Sequence, residues 1–399
     1  MEYVKVEKIV KKIIRKIKRI IRELITIIVN RIFVLIFPLK QNRVLFLSDN
    51  RETLGGNLKF VYDYLPEEKY EKVLSLKADK RLRRGLKEKV NLMKYLATSR
   101  YILLEDLVHA TAHMKVRKGQ ELIQLWHGPG AFKKFGHSRE STDLKRIHKG
   151  YKKYAKAIVS AEAIRPCYAE AFSISIDKVK ATGFPRTDEF FDTSLQKEKK
   201  EQLYQKYPFL KEKKVILFAP TYRGTQIKDA HYDLDKLDLE KIYQNLHENY
   251  VFLFKWHPLL YMNNQLKNIQ DYNIQEHPDF YYDLSDERDI NDLLLVADIL
   301  ITDYSSVIFD YVLLNKPVIY FTYDYDEYVN QGRGLYFPFE EYVYGTVATN
   351  DDELLQAIQE EKMEPEKRKV FIEKFMSACD GNSTKKTCEW IFGEDVLKK

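Results

Sequence analysis

Ile301–Phe321, ITDYSSVIFDYVLLNKPVIYF, reads as strand, turn, helix and strand. An apolar run ends at Asp303, two serines follow, apolar residues from Val307 recur at helical spacing, and a second β-forming run starts after Lys316. A strand followed by a helix and a second strand is the repeating unit of a parallel α/β sheet. Ser305 and Ser306 fall where the helix starts, so free backbone N–H groups, the positive end of the helix dipole and two hydroxyls should converge there as a phosphate site. A serine in that place also caps the helix, and the two roles are compatible. Asp310, one turn beyond Ser306, is expected on the same face, within reach of a ligand's ribose hydroxyls.

Working outward, the same plan fills the second half of the chain. Strands are expected at Lys214–Pro220, Asn249–His257, Asp279–Ser285, Ala297–Asp303 and Lys316–Thr322, separated by the helix-like EKIYQNLHE, INDLLLVA and VIFDYVLLN. The first half repeats it, with strands at Arg43–Ser48, Tyr70–Leu76, Ser99–Asp106, ELIQLWH, Ala155–Ala161 and the stretch entering TGFPR. The charged segment Leu195–Lys214 separates the halves. The expected architecture is α/β, with two doubly wound parallel-sheet domains facing a central cleft. Residues 43–194 and 195–399 form these domains, and residues 1–42 form an appended helix.

In open α/β sheets ligands bind at the carboxyl ends of the strands. Two Trp-His pairs stand at such ends, Trp126-His127 in QLWHGPG and Trp256-His257 in FKWHPLL. An imidazole there moves protons near neutral pH or, when charged, holds phosphate. FAPTYRG brings Arg223 to the same edge, and arginine is the natural bidentate partner of pyrophosphate oxygens. Arg333, between glycines in QGRGLYF, is a further candidate phosphate contact.

The net charge of +7 is unevenly distributed. Residues 1–43 hold twelve Lys and Arg against three Glu, while the remaining 356 residues hold 54 basic and 56 acidic side chains. The near-neutral body argues against a nucleic-acid partner. Between Val6 and Val29, apolar residues at Ile9, Ile13, Ile17, Ile20, Ile21, Leu24 and Ile28 alternate with eight Lys and Arg. Such a basic amphipathic helix lies in a membrane interface with its cations near anionic headgroups, so residues 1–38 are expected to hold the protein to an anionic membrane surface. The more apolar Leu24–Phe37 is too short to span, and the long charged start without a small-residue cleavage site is unlike a signal peptide. The three cysteines, Cys167, Cys379 and Cys388, show no metal-ligand spacing and read as free thiols. Phosphate-loop, dinucleotide, HExxH and GxSxG motifs are absent.

Taken in order, QLWHGPGAFKKFG, TGFPRTDEF, FAPTYRG, FKWHP, ITDYSSVIFDY with KPVIYF, RGLYF and DGNST cover most of residues 43–390. On these motifs the chain resembles the CDP-glycerol glycerophosphotransferases of teichoic acid synthesis. The resemblance implies a GT-B-like fold and a CDP-glycerol donor held mainly by the C-terminal domain. It also implies an undecaprenyl-diphosphate-linked acceptor at the cytoplasmic face of the cell membrane, and neither cofactor nor metal. By position in the motifs, His127 becomes the general base, and His257, Ser305 and Ser306 contact the donor diphosphate. Arg223 and Arg333 neutralise charge, and Asp303 and Asp310 serve the nucleotide or the transferred polyol phosphate. The acceptor alkoxide would attack the β-phosphorus and CMP would leave. The family often has Trp and Asp where this chain has Tyr222 and Gly224, and an arginine in place of Lys385. Alternatives are transfer of ribitol phosphate from CDP-ribitol, sugar transfer by an ordinary GT-B glycosyltransferase, and a non-enzymatic membrane-surface protein.

Overall fold

The computed structural model describes residues 2–78, 82–139, 150–224, 230–258, 260, 276–331 and 334–397. Among the described residues, twelve strands form two six-stranded, wholly parallel sheets. The first contains β1 (Lys40–Ser48), β2 (Glu71–Leu76), β3 (Ser99–Leu104), β4 (Glu121–Gln124), β5 (Tyr154–Val159) and β6 (Val179–Ala181), in the order β2-β1-β3-β4-β5-β6. The second contains β7 (Lys214–Phe218), β8 (Tyr250–Phe254), β9 (Tyr281–Asp283), β10 (Ile299–Thr302), β11 (Val318–Phe321) and β12 (Thr346–Ala348), in the order β9-β8-β7-β10-β11-β12.

The strands read as continuous apolar runs because they are covered on both faces. In β1, Val44 and Phe46 enter one apolar cluster while Leu45 and Leu47 enter another. In β10, Leu300 faces one cluster, and Ile299 and Ile301 the opposite one. The cluster holding Leu45 and Leu47 also holds Leu217, Leu253 and Leu300, so one apolar core continues from the first sheet to the second. Helices on both faces of two parallel sheets give the expected GT-B-like architecture.

Both terminal helices pack on the first half. The last helix, Ser383–Phe392, places Cys388 and Ile391 in a cluster with Val44, Phe46 and Leu58 of the first sheet. Its N-terminus is capped by Asp188, whose two carboxylate oxygens accept from Ser383 N and Thr384 N at 2.8 Å each. This helix lies within residues 195–399 of the expected division and buries its apolar face on the first sheet. The N-terminal helix, Glu2–Ile36, is also partly bound to the body. Val29 and Phe33 pack on the main core, buried Asn30 accepts from Lys115 N at 2.9 Å, and Arg117 donates to Phe37 O at 2.7 Å. Earlier in that helix Ile13, Ile17, Leu24 and Ile28 are about half exposed. Among the described residues no helix is long and apolar enough to cross a membrane.

Candidate active site

In the second sheet, strand order reverses between β7 and β10, the place where an open parallel sheet opens a crevice for ligands. The segments leaving those strands carry Thr221–Arg223 and Ser305–Ser306. Both line a cavity of 1340 Å³ whose opposite wall is the loop after β4, including His127 and Lys133. The loop also pairs with the other half: Lys134 N donates to Gly334 O at 2.9 Å and Tyr336 N to Phe132 O at 3.0 Å. Gly130, at φ +68°, lets the loop run against the Phe309 ring, which a Cβ at that position would overlap.

His127 is fixed by its neighbours' backbone. Past β4 the ladder continues for one residue, Leu125 N to Leu104 O at 2.7 Å, and Trp126 then turns into the left-handed region at φ +53°. That conformation costs a non-glycine residue of order 1–3 kcal/mol and persists only where surroundings over-determine it. Here Gln124 Oε1 accepts from Trp126 N at 2.9 Å, and Asn57 Nδ2 donates to Trp126 O at 2.8 Å. Arg186 Nη1 donates to His127 O at 2.5 Å. The exposed His127 ring stacks on Trp126, centroids 4.5 Å apart, and its Nδ1 lies 2.7 Å from Glu105 O. A carbonyl only accepts, so Nδ1 carries the proton, and in the neutral form of the ring the lone pair then belongs to Nε2.

Glu105 itself is buried beneath this arrangement, with Arg51 Nε at 3.1 Å and Leu58 N at 3.2 Å. Burial pushes its carboxyl up to about 7, against the pull of Arg51. Asp106 is raised to about 6 by the same burial, with Ser48 and Asn50 donating to it at 2.9 Å each.

On the opposite wall the two Trp-His motifs diverge. Trp256 is fully buried and stacks on Phe254, leaving His257 exposed in the cavity with its ring 4.8 Å from Tyr222. Ser305 and Ser306 both line the cavity, and Ser305 Oγ accepts from Val307 N at 3.4 Å. The α-helix that follows is short, Val307–Tyr311, and continues as a 3-10 turn to Leu314. Its dipole is correspondingly small, so the start of this helix offers hydroxyls and individual N–H groups rather than the full dipole that the sequence reading invoked.

Arg223 reaches the cavity but is heavily engaged. Its guanidinium meets Asp303 Oδ2 at 2.8 Å, Asp324 at 2.5 and 2.9 Å, and Thr221 O at 2.6 Å. Burial opposes its charge, yet Asp303 and then Asp324 outweigh burial and hold it charged. Asp303 is buried and also accepts from Thr221 N and Tyr304 N at 2.8 and 2.6 Å, so it ties together the segments after β7 and β10. It does not line the cavity, and neither does Asp310, which is buried and forked by Arg186 Nε at 3.3 Å and Nη2 at 2.6 Å. Both carboxylates are held by protein partners, as a buried charge must be. Arg333 lies outside the described residues.

The structure adds residues that local reading passed over. Lys133, inside the quoted HGPGAFKKFG, sets its ammonium 3.5 Å from Thr221 Oγ1 and 5.3 Å from the Tyr328 ring centroid, bringing a first-half cation to the second-half wall. A lysine six residues past a cleft histidine was the available signal. For Arg186 and Glu105 there was none, since each acts on His127 from a distant part of the chain. Among the described residues no three His, Cys, Asp or Glu gather as a metal site.

A family model described as CDP-Glycerol:Poly(glycerophosphate) glycerophosphotransferase matches residues 28–393. The chain is 43% identical over 361 residues to a teichoic acid poly(ribitol-phosphate) polymerase of Bacillus spizizenii, covering 89% of this chain and 57% of that relative. It is 32% identical over 304 residues to a teichoic acid glycerol-phosphate primase of Bacillus subtilis, covering 75% of this chain and 73% of that protein. This chain therefore spans little more than half the length of the first relative. Its fold matches the solved wall teichoic acid polymerase TagF with a TM-score of 0.75 at 21% identity, over 96% of this chain and 97% of that one. At that identity the likeness concerns the fold.

Proposed function

The chain belongs to the CDP-glycerol:poly(glycerophosphate) glycerophosphotransferase family, and from that premise we propose that it transfers a polyol phosphate from a CDP-linked polyol to an acceptor hydroxyl, releasing CMP in teichoic acid synthesis. The observation that carries this reading is the cavity itself. A histidine whose Nδ1 meets the Glu105 carbonyl stands on one wall, and two serines, a second histidine and Lys133 stand with it around one cavity.

In this reaction His127 Nε2 takes the proton of the acceptor hydroxyl as its oxygen attacks the β-phosphorus, the one bearing the polyol. A bond forms between acceptor oxygen and phosphorus, the anhydride bond breaks, and its electron pair leaves with CMP. Ser305, Ser306, His257 and Lys133 hold the diphosphate oxygens, so the rate derives from positioning and from charge placed where it develops. Arg223, through Asp303 and Asp324, orders the segment that meets the diphosphate and adds positive potential, and Asp310 acts through its protein partner. Residues 43–194 supply the acceptor wall, and residues from 195 to the returning C-terminal helix supply the donor wall.

The sequence reading named glycerol. The relative at 43% identity is named for ribitol phosphate and the one at 32% for glycerol phosphate, which favours CDP-ribitol as the better donor and keeps CDP-glycerol as the second. The acceptor would be an undecaprenyl-diphosphate-linked saccharide, reached by a protein held peripherally at the cytoplasmic face of the membrane through its N-terminal helix. The test supplies CDP-ribitol, CDP-glycerol and UDP-sugars with a lipid-diphosphate disaccharide and measures nucleotide release. Acceptor-dependent CMP is expected, and acceptor-dependent UDP alone would assign the protein to sugar transfer.

A further inference from the structure

Arg186 belongs to the turn Pro185–Phe190 that follows β6 and lines neither wall of the cavity, yet it touches both sides of the proposed reaction. Its backbone N is held by Asn57 Oδ1 at 3.0 Å, and the same Asn57 amide holds Leu125 O at 3.3 Å and Trp126 O at 2.8 Å. Nη1 donates to His127 O at 2.5 Å, while Nε and Nη2 fork onto Asp310 at 3.3 and 2.6 Å. Asp310 lies four residues beyond Ser306 in the same short helix. One nearly buried guanidinium thus joins the peptide that presents His127 to the segment that presents the two serines.

We infer that Arg186 is a positioning residue for the transfer step: shared between the His127 carbonyl and the Asp310 carboxylate, it sets the separation between general base and phosphate-holding serines. The inference rests on the phosphotransfer reading above. Three features assign it to geometry. The left-handed Trp126 immediately before His127 needs the surrounding hydrogen bonds to persist. A buried ion pair adds little stability over an apolar pair of similar volume, although breaking one by removing a single partner is costly. The fork also fixes direction, which a lysine does not reproduce.

The experiment compares Arg186→Met, Asp310→Leu, their double variant and Arg186→Lys, reading thermal melting, kcat and donor KM from CMP release by the full chain. Each apolar single variant should melt early, since it leaves an unpaired buried charge, and the double variant should regain much of the loss. Turnover should part from stability: kcat in the double variant and in Arg186→Lys stays down by about 10²-fold, the scale of an ångström of misplacement, with donor KM little changed. A double variant, or Arg186→Lys, that turns over at the wild-type rate overturns the positioning role alone. Failure of the wild-type chain to release CMP from either CDP-polyol overturns the underlying reading instead.

Discussion

At the scale of single residues, two positions in and under the His127 loop make distinct demands. Gly130 needs both its positive φ and the space taken by Phe309, whereas Gly128 has only an ordinary contact with the Trp126 ring. Gly130→Ala should cost about 2–4 kcal/mol in urea unfolding, from overpacking and left-handed strain together, and Gly128→Ala should cost far less. Equal effects would mean that the loop does not run against Phe309. Glu105 gives a dependence on pH. Its folded-state pKa is raised from 4.5 to about 7, so the folded protein keeps a proton that the unfolded chain has released. Stability attached to this group is therefore full below about 4.5, falls as pH rises through 7, and is level beyond. Glu105→Gln removes that dependence, so its melting temperature relative to wild type should rise between pH 5 and pH 8. A constant difference across that range would remove the assignment. Neither the Glu105 carbonyl under His127 nor the Arg186–Asp310 fork was legible in the sequence, because pairings across 22 and 124 positions leave no local pattern.

At the scale of elements, what local pattern encodes was read well and what depends on partners was not. Strands buried on both faces declare themselves as apolar runs, and β1, β7, β8, β10 and β11 lie where those runs lie. β12, three residues at the sheet edge with only Ala348 buried, carries too little apolar signal to be seen. The helix after Ser306 was read at full length from its spacing, but only Val307–Tyr311 is α-helical. The N-terminal helix runs over Glu2–Ile36, and its last turns are fastened by Val29, Asn30, Phe33 and Phe37 to the body. Deletion of residues 1–38 should therefore destabilise the body, because it uncovers core and leaves Lys115 N without Asn30. Deletion of residues 1–22 should leave melting unchanged and abolish sedimentation with anionic vesicles, with full-length binding weakening as salt rises. Undiminished sedimentation of the shorter protein would place membrane contact elsewhere.

At the scale of the molecule, two parallel sheets set their ligand edges around one cavity, and the loop after β4 crosses to pair with residues 334–336. The duplication was legible because each half repeats strand-helix alternation. The return of Ser383–Phe392 to the first sheet was not, since nothing in DGNST announces that Asp188 caps the helix it begins. The catalytic division proposed above rests on this layout: His127 as base is held by the first sheet's backbone, Ser305, Ser306 and His257 as phosphate contacts stand at the second sheet's switch point, and that proposal requires both for turnover. The most direct test of that division is nucleotide release by wild type and His127→Ala, given CDP-ribitol or CDP-glycerol with and without a lipid-diphosphate-linked acceptor. Wild type should release CMP only with acceptor, and His127→Ala should be slower by about 10²–10⁴-fold, the usual contribution of a general base, while still binding donor and melting normally. Near-wild-type CMP release by His127→Ala, or acceptor-dependent release of UDP from a nucleotide sugar in place of CMP, would contradict it.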